Sequence, residues 1–430
     1  MLRLALPTLA WLVVPAALEA QLPRTSARAL GLLQSQTAAA RGYEAIAWNP
    51  ALLAMPGRPS FSLNLVQVSA QQWSNSFDTG DVFKYSGDTL TTADKDTILA
   101  KIPTDSPFTL GAGVDASGIA LTIGNFGFLL GAQGDAEGRV SRDFAELLLF
   151  GNVGRRAVGS PPFRGDSSGA DGWAGGTAAF AMGLPIPVPV GHLAVGATLK
   201  LTQGLVIGGM RDLGSSLQTN PFVGEVRVHY LHTSPDSSWA NGMGFGADVG
   251  VAYDLASGMR LGLAIENLFS TMSWSDDGLI YGRREYRLAQ QGGAYVDSVI
   301  SEIESSPFNE ADPLQAALRD SVLGRATFPT RVRAGAQLKL GPVLLAGDAM
   351  LRIKRGLVPG EARRLSAAAE LPLSVIAIRG GLATDFETGV TFGGGLGFKF
   401  GPVRFDTAAN WAPGGDRQGL FFALGLGIMK

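Results

Sequence analysis

TRVRAGAQLKLGPVLLAGDAMLR, residues 330–352, decides the fold. In its first half Val332, Ala334, Ala336, Leu338 and Leu340 alternate with Arg331, Arg333, Gly335, Gln337 and Lys339. Successive strand residues point to opposite faces, so this is a strand with one apolar face and one face that carries charge or no side chain. Gly341-Pro342 interrupts the pattern, and a second apolar segment with Asp348 inside it follows; together they read as a hairpin. The module recurs near the C-terminus, where Lys399-Phe400-Gly401-Pro402-Val403, then Asp406, echoes Lys339-Leu340-Gly341-Pro342-Val343, then Asp348. Hairpins of this kind build a closed wall with lipid outside and a polar interior.

Composition points the same way. The chain has 430 residues, a formal net charge of -2, 58 Gly, 23 Pro and no Cys. Its mean hydropathy is +0.17, high for a protein surrounded by water. Beyond the N-terminus there is no run of ~18 apolar residues, so no helix is available to cross a bilayer. The other spanning structure is a closed barrel, which satisfies its backbone between strands. Near-neutral charge, with no basic run or basic-aromatic stripe, argues against a nucleic-acid partner. The lack of Cys excludes disulfides, thiolate metal sites and a lipid anchor on Cys.

Residues 1–20 read as a secretory signal: Arg3, the apolar stretch Leu4–Ala17, and small Ala20 before a cut at Gln21. Residues 21–59 form a separate N-terminal element. Arg24–Arg41 reads as a short helix rich in Ala and Leu. After it, Gly42 to Leu53 does not alternate, and Asn49-Pro50 marks a turn.

A small-residue helix followed by Gly42-x-x-Ala45-x-x-Trp48-Asn49-Pro50-Ala51-x-Leu53 resembles the start of the FadL-type outer-membrane barrels, transporters of hydrophobic compounds. Segments 246–251, 261–267 and 395–398 match in style. The run Arg142 to Asn152 is most similar to a Bacteroidetes-type branch that includes PorV-like barrels and barrels of no known function. The resemblance implies that residues 21–59 fold inside the barrel as a plug, with Gly42, Trp48, Asn49 and Pro50 in the hatch. It also implies passive uptake of a small, fatty-acid-like hydrophobic molecule, outer-membrane lipid around the wall, and insertion by the barrel-assembly machinery. The PorV-like likeness keeps open a scaffold role in a secretion or envelope complex.

Residues 60–430 are expected to form the barrel. The best strands lie in the middle, where His192, Ala194, Gly196, Thr198, Lys200 and Thr202 oppose Leu193, Val195, Ala197, Leu199 and Leu201. Glu225, Arg227 and His229 oppose Val226, Val228 and Tyr230; Gly244, Gly246, Asp248, Gly250 and Ala252 oppose Phe245, Ala247, Val249, Val251 and Tyr253. A soluble sandwich has the same periodicity in the reverse sense, so alternation alone does not choose between them. Residues 294–327 break the pattern and read as an external loop insertion with two helices, Val296–Glu304 and Pro313–Leu323. The strand candidates number about fourteen, giving an all-β transmembrane antiparallel barrel with a helical N-terminal plug. Such barrels usually end in an aromatic residue read during assembly; this sequence ends in Lys430.

Catalytic signals are weak. No Gly-x-Ser-x-Gly elbow and no Walker-type phosphate loop occurs. His192 and His229 fall on the predicted inner face, where two imidazoles without spaced carboxylates make a poor metal site; no metal or cofactor is implied. The inner-face charges carry more information. Lys200, Arg227, Asp248, Arg331, Arg333, Asp348, Arg404 and Asp406 are the lumen-facing candidates, with Glu225, Glu266, Lys339 and Lys399 beside them. Buried charges of both signs need partners, which cross-strand pairs and a plug supply. The inward glycines 244, 246, 250, 393, 395 and 397 leave room for a plug or a ligand, or mark bends.

Overall fold

The computed structural model describes residues 26–430 apart from 88, 153–155, 157–158, 235–240, 256, 292–293, 325–327, 354–360, 387–388 and 416. Fourteen antiparallel strands form a closed ring. They are β1 (Phe61–Ser74), β2 (Phe108–Ile123), β3 (Phe126–Val140), β4 (Gly169–Ile186), β5 (His192–Asp212), β6 (Gly242–Asp254) and β7 (Met259–Trp274). The second half is β8 (Arg331–Leu340), β9 (Val343–Arg352), β10 (Arg363–Pro372), β11 (Ile376–Thr384), β12 (Val390–Phe400), β13 (Val403–Ala412) and β14 (Gln418–Met429). Each strand pairs with its sequence neighbour, and β14 closes on β1 from Ser62↔Met429 to Ser74↔Gln418. Closure leaves no unpaired edge, which a wall in hydrocarbon requires.

The two ends differ. At one end the connections are short: 124–125, 341–342 and 401–402 are two-residue turns. Their first residues, Gly124, Gly341 and Gly401, have φ near +60°, as a type II′ hairpin turn demands. At the other end the loops are long. Helices Thr92–Lys101 and Arg142–Phe150 pack there through Leu99, Ile102 and Ala145.

The sense of alternation, which periodicity leaves open, is that of a membrane barrel. Leu199 is 60% exposed, Phe245 56% and Phe180 50%, all on the outer face. Their inward neighbours Thr198, Lys200, Ala179 and Ala181 are buried. A water-soluble sheet would show the reverse.

Two expected helices are corrected. Val296–Glu304 is not helical: it lies within a strand, Ala294–Pro307, paired antiparallel to Leu279–Gln291. Its sequence, rich in β-branched Val and Ile, favours a strand once a partner is present. Pro313–Leu323 is helical as expected, with Asp312 as N-cap and Pro at the first position. The hairpin 279–307 pairs through Leu279–Ala289 with strand Val223–Thr233, which in turn pairs with the far end of β5 at Gly208–Asp212. These strands stand beyond the ring at the long-loop end.

The second correction concerns the plug. Of the expected helix Arg24–Arg41, residues 26–41 are described, and of these only Ala27–Gly31 is helical, capped by Ser26. Leu33 and Gln34 then take left-handed φ values of 50° and 65°, and the chain turns back. Bonds from 35–37 to Ser366 and Asp348 on the wall replace helical ones. Further short turns follow at Gly42–Glu44, Ala45–Trp48 and Pro50–Ala54. The expected signal, 1–20, lies outside the described residues.

Candidate functional site

The site is the seam between the plug and the lumen wall. It has two unlike halves.

One half is charged. Arg28 of the plug helix donates from Nε and Nη2 to Glu370 Oε2 on β10, at 3.0 and 2.7 Å. Its Nη1 reaches Glu44 Oε2 at 3.0 Å, Gln36 Oε1 at 3.1 Å and the Ala39 carbonyl at 3.2 Å. Ser26 Oγ donates to Glu44 Oε1 at 2.7 Å. On β9, Asp348 Oδ2 accepts from the amides of Gln36 (3.0 Å) and Thr37 (2.9 Å) and from Thr37 Oγ1 (2.6 Å). A carboxylate aimed at two successive amides fixes a tight plug turn in one orientation. Beside it Arg379 on β11 joins Asp406 at 2.5 Å and Glu370 at 3.7 Å. Arg333 on β8 bonds Glu266 at 2.5 Å and lies over the Trp48 ring at 4.7 Å, with Arg331 3.7 Å from the same Glu266.

The other half is built from small residues. Gly183, Gly196 and Gly250 sit in register across β4, β5 and β6, forming a trough along the hydrogen-bonding direction. A Cβ on Gly196 would lie 2.4 Å from the Ala51 amide nitrogen, and one on Gly183 2.8 Å from that of Ala54. One on Gly250 would lie 2.0 Å from Asn49 Oδ1. Only glycine lets the plug backbone come this close to the wall. Around the trough Ala120, Leu129, Ala179, Ala181, Ala194 and Ala252 pack against Ile46, Trp48, Leu52, Leu53 and Met55. Asn49 holds the segment in place: Nδ2 donates to the Thr37 carbonyl (2.9 Å) and to the Val251 carbonyl on β6 (3.1 Å), and Oδ1 caps the Ala51 amide (3.1 Å). Pro50 follows as the first residue of the capped turn.

Most of the lumen-facing candidates meet here or next to it. Gly42, Trp48, Asn49 and Pro50 are all buried plug residues. Lys200 pairs with Asp248 at 2.5 Å and also bonds Asn267, which sits with φ 50° in a bulge of β7. Arg404 stands half-buried at the short-turn rim. Two candidates go elsewhere. Arg227 is exposed on Val223–Thr233 outside the ring, paired with Glu225 at 3.0 Å. His192 is exposed at the short-turn rim, while His229 is buried in the long-loop extension, bonded to Glu285 and Tyr281 at 3.0 Å each. The two imidazoles therefore lie at opposite ends. Alternation puts Glu225, Arg227 and His229 on one face of the strand Val223–Thr233 but does not show that this strand sits above the wall.

Sequence reasoning missed Arg28, Glu44, Glu370 and Arg379. Arg379 carries a signal, being the single charge in the short apolar strand Ile376–Thr384, and Glu370 a weaker one, following the apolar run Ala367–Ala369. Among the described residues no group of three or more His, Asp or Glu is arranged to hold a metal.

The family model of a family of unknown function, DUF5723, matches residues 50–410, from Pro50 in the plug to β13. The chain belongs to DUF5723. No curated protein matches this DUF5723 chain. Among solved structures, it is similar to the toluene transporter TodX of P. putida, at 12% identity over 95% of this chain and 99% of that one, with a TM-score of 0.47. It is also similar to a FadL homologue of Pseudomonas aeruginosa, at 11% identity, 96% and 100% coverage and a TM-score of 0.47. The Ralstonia pickettii toluene transporter TbuX gives 12% identity, 95% and 99% coverage and a TM-score of 0.44.

Proposed function

We propose that the chain is an outer-membrane barrel that lets small hydrophobic compounds pass without an energy source, and that plug residues 45–55 are its gate. The observation that supports this is the glycine and alanine wall beneath that segment. If 45–55 withdrew, it would bare a strip made of Gly183, Gly196, Gly250, Ala179, Ala181, Ala194 and Ala252. Such a strip offers no side-chain hydrogen bonds and suits an apolar solute. Residues 26–44, held by Arg28, Glu370 and Asp348, act as the fixed part of the plug. The short turns face the periplasm and the long loops the outside, the usual arrangement in such barrels. Lipid surrounds the outer face, and the barrel-assembly machinery inserts the chain.

The absence of cysteine makes a direct test available. Ile46→Cys with Gly127→Cys ties the gate to β3, where a Cβ at 127 would lie 2.6 Å from Ile46 Cγ1. Ser35→Cys with Ser366→Cys ties the fixed part to β10, replacing two hydroxyls 2.8 Å apart. In liposomes, oxidation of the first pair is expected to stop uptake of an apolar dye and reduction to restore it, while the second pair has little effect. Undiminished uptake with 46 and 127 cross-linked would rule out the gate.

A second reading, a barrel that serves as a scaffold, is favoured by the extension beyond the ring. Strands 223–233, 279–291 and 294–307 with helix 313–323 offer a broad face to a partner. Stable capture of one protein by the full chain, lost when 279–323 is replaced by a short turn, would support it.

A further inference from the structure

At the short-turn rim a pocket of about 620 Å³ opens between plug and wall. Arg41 and Arg58 reach it from the plug side, and Arg260, Arg404 and Lys430 from the wall. No Asp or Glu side chain lines it. Among the described residues the only ion pair made by these cations is Arg260 with Asp254, at 2.5 Å. Glu44 and Glu370 act on Arg41 from deeper in the seam, so the charge without a paired carboxylate is centred on Arg58 and Arg404. Lys399 lies directly opposite Arg404 across β12 and β13, a like-charge pair that costs stability unless an anion sits between.

We propose that this pocket binds a phosphate-bearing anion at the seam, and that the bound anion ties the plug to the wall. The guanidinium fork matches phosphate oxygens two at a time. The volume suits a ligand larger than one phosphate group. The pocket is placed to act as a clamp because its cations belong to both bodies. Arg260 already donates to the Pro56 carbonyl at 2.9 Å, where the plug leaves for β1, and Arg58 donates to the Gly124 carbonyl at 3.3 Å on the β2–β3 turn. Neutralising the remaining charge removes the repulsion that opposes this closed arrangement. Occupancy of the site does not depend on what passes the barrel.

The test uses the full chain in detergent with inorganic pyrophosphate as probe. Isothermal titration is expected to show one saturable site per chain, weakened at least about tenfold by Arg404→Gln and by Arg58→Gln. Raising the salt concentration is expected to weaken it further. Hydrogen exchange over residues 45–59 is expected to slow when the probe binds. The same exchange measured in phosphatidylglycerol vesicles, against phosphatidylcholine, separates a lipid headgroup from a soluble phosphate as the source; protection in either arm that both Gln variants remove supports the site. Arg404→Lys and Arg58→Lys, which keep the charge, are expected to retain part of the binding and serve if a Gln variant folds poorly. No binding by the unaltered protein in either arm, or binding that no variant changes, would overturn the proposal.

Discussion

Asn49 of the plug and Gly250 of β6 are fitted so closely that a methyl group at 250 would lie 2.0 Å from Asn49 Oδ1. Gly250→Ala therefore forces the Asn49-Pro50 turn off the wall while leaving the β5–β6–β7 ladder intact. The expected result is a folded barrel with a raised leak, read as conductance across a planar bilayer. Asn49→Ala acts from the other side. It leaves the Thr37 and Val251 carbonyls and the Ala51 amide without their present partner, at roughly 1–3 kcal/mol for each buried group that water cannot reach. An unaltered conductance in both variants would show that the turn does not set the closed state.

Arg28 and Glu370 link a plug helix to the wall across most of the chain's length in sequence. Arg28→Met leaves Glu370 facing Arg379 at 3.7 Å but takes the guanidinium from Glu44, whose other bonds come from Ser26 Oγ and the Arg41 amide. Removing one partner of a buried pair costs on the order of 3–5 kcal/mol, more than replacing both. Arg28→Met is expected to make the plug sensitive to protease while the ring stays resistant. Arg28→Met combined with Glu370→Gln and Glu44→Gln is expected to recover part of the loss. Equal cleavage in the single and triple variants would refute the coupling.

Lys200 and Asp248 hold the bulge of β7, since Asp248 Oδ1 also accepts the Asn267 amide at 2.7 Å. Lys200→Met leaves that carboxylate short of a cation in a buried wall. Lys200→Met is expected to destabilise the barrel by about 3–5 kcal/mol, whereas Lys200→Met with Asp248→Asn costs less. Urea unfolding of the two in liposomes measures the difference; a double variant no better than the single would exclude the pairing as the cause.

These contacts show what could and could not be read from the sequence. Strands such as Arg331–Leu340 are legible because one face must be apolar along the whole run, and a slip of one residue would turn every charge into lipid. Arg333, Asp348 and Asp406 follow from the same rule as inward charges. Their partners do not follow, because Asp348 reaches back to Thr37 and Arg28 forward to Glu370 through closure of a ring that local pattern does not encode. Residues 223–233 show the other limit. Alternation marks a strand, but its height above the bilayer is set by the strand it pairs with. The short helix Ala27–Gly31 was overextended because Ala and Leu propensity favours continuation, and the bonds that end it come from the wall.

Leu199 and Leu213 are both well exposed, at 60% and 48%, but one lies within the wall and the other just past the end of β5 at the long-loop rim. In water the two positions would tolerate arginine equally. In a bilayer they would not, because an outward arginine at the midplane of such a barrel costs roughly 2–4 kcal/mol and close to nothing at the interface. Leu199→Arg is therefore expected to lower the stability of the liposome-inserted protein by about that amount, and Leu213→Arg to leave it within about 1 kcal/mol. In detergent the gap is expected to shrink, since micelles thin around a charge more readily than a bilayer. Urea titration of both variants in vesicles gives the answer. Equal, small losses at 199 and 213 would mean that the outer face of β5 meets water, and the reading of the wall as a lipid surface would fail with it.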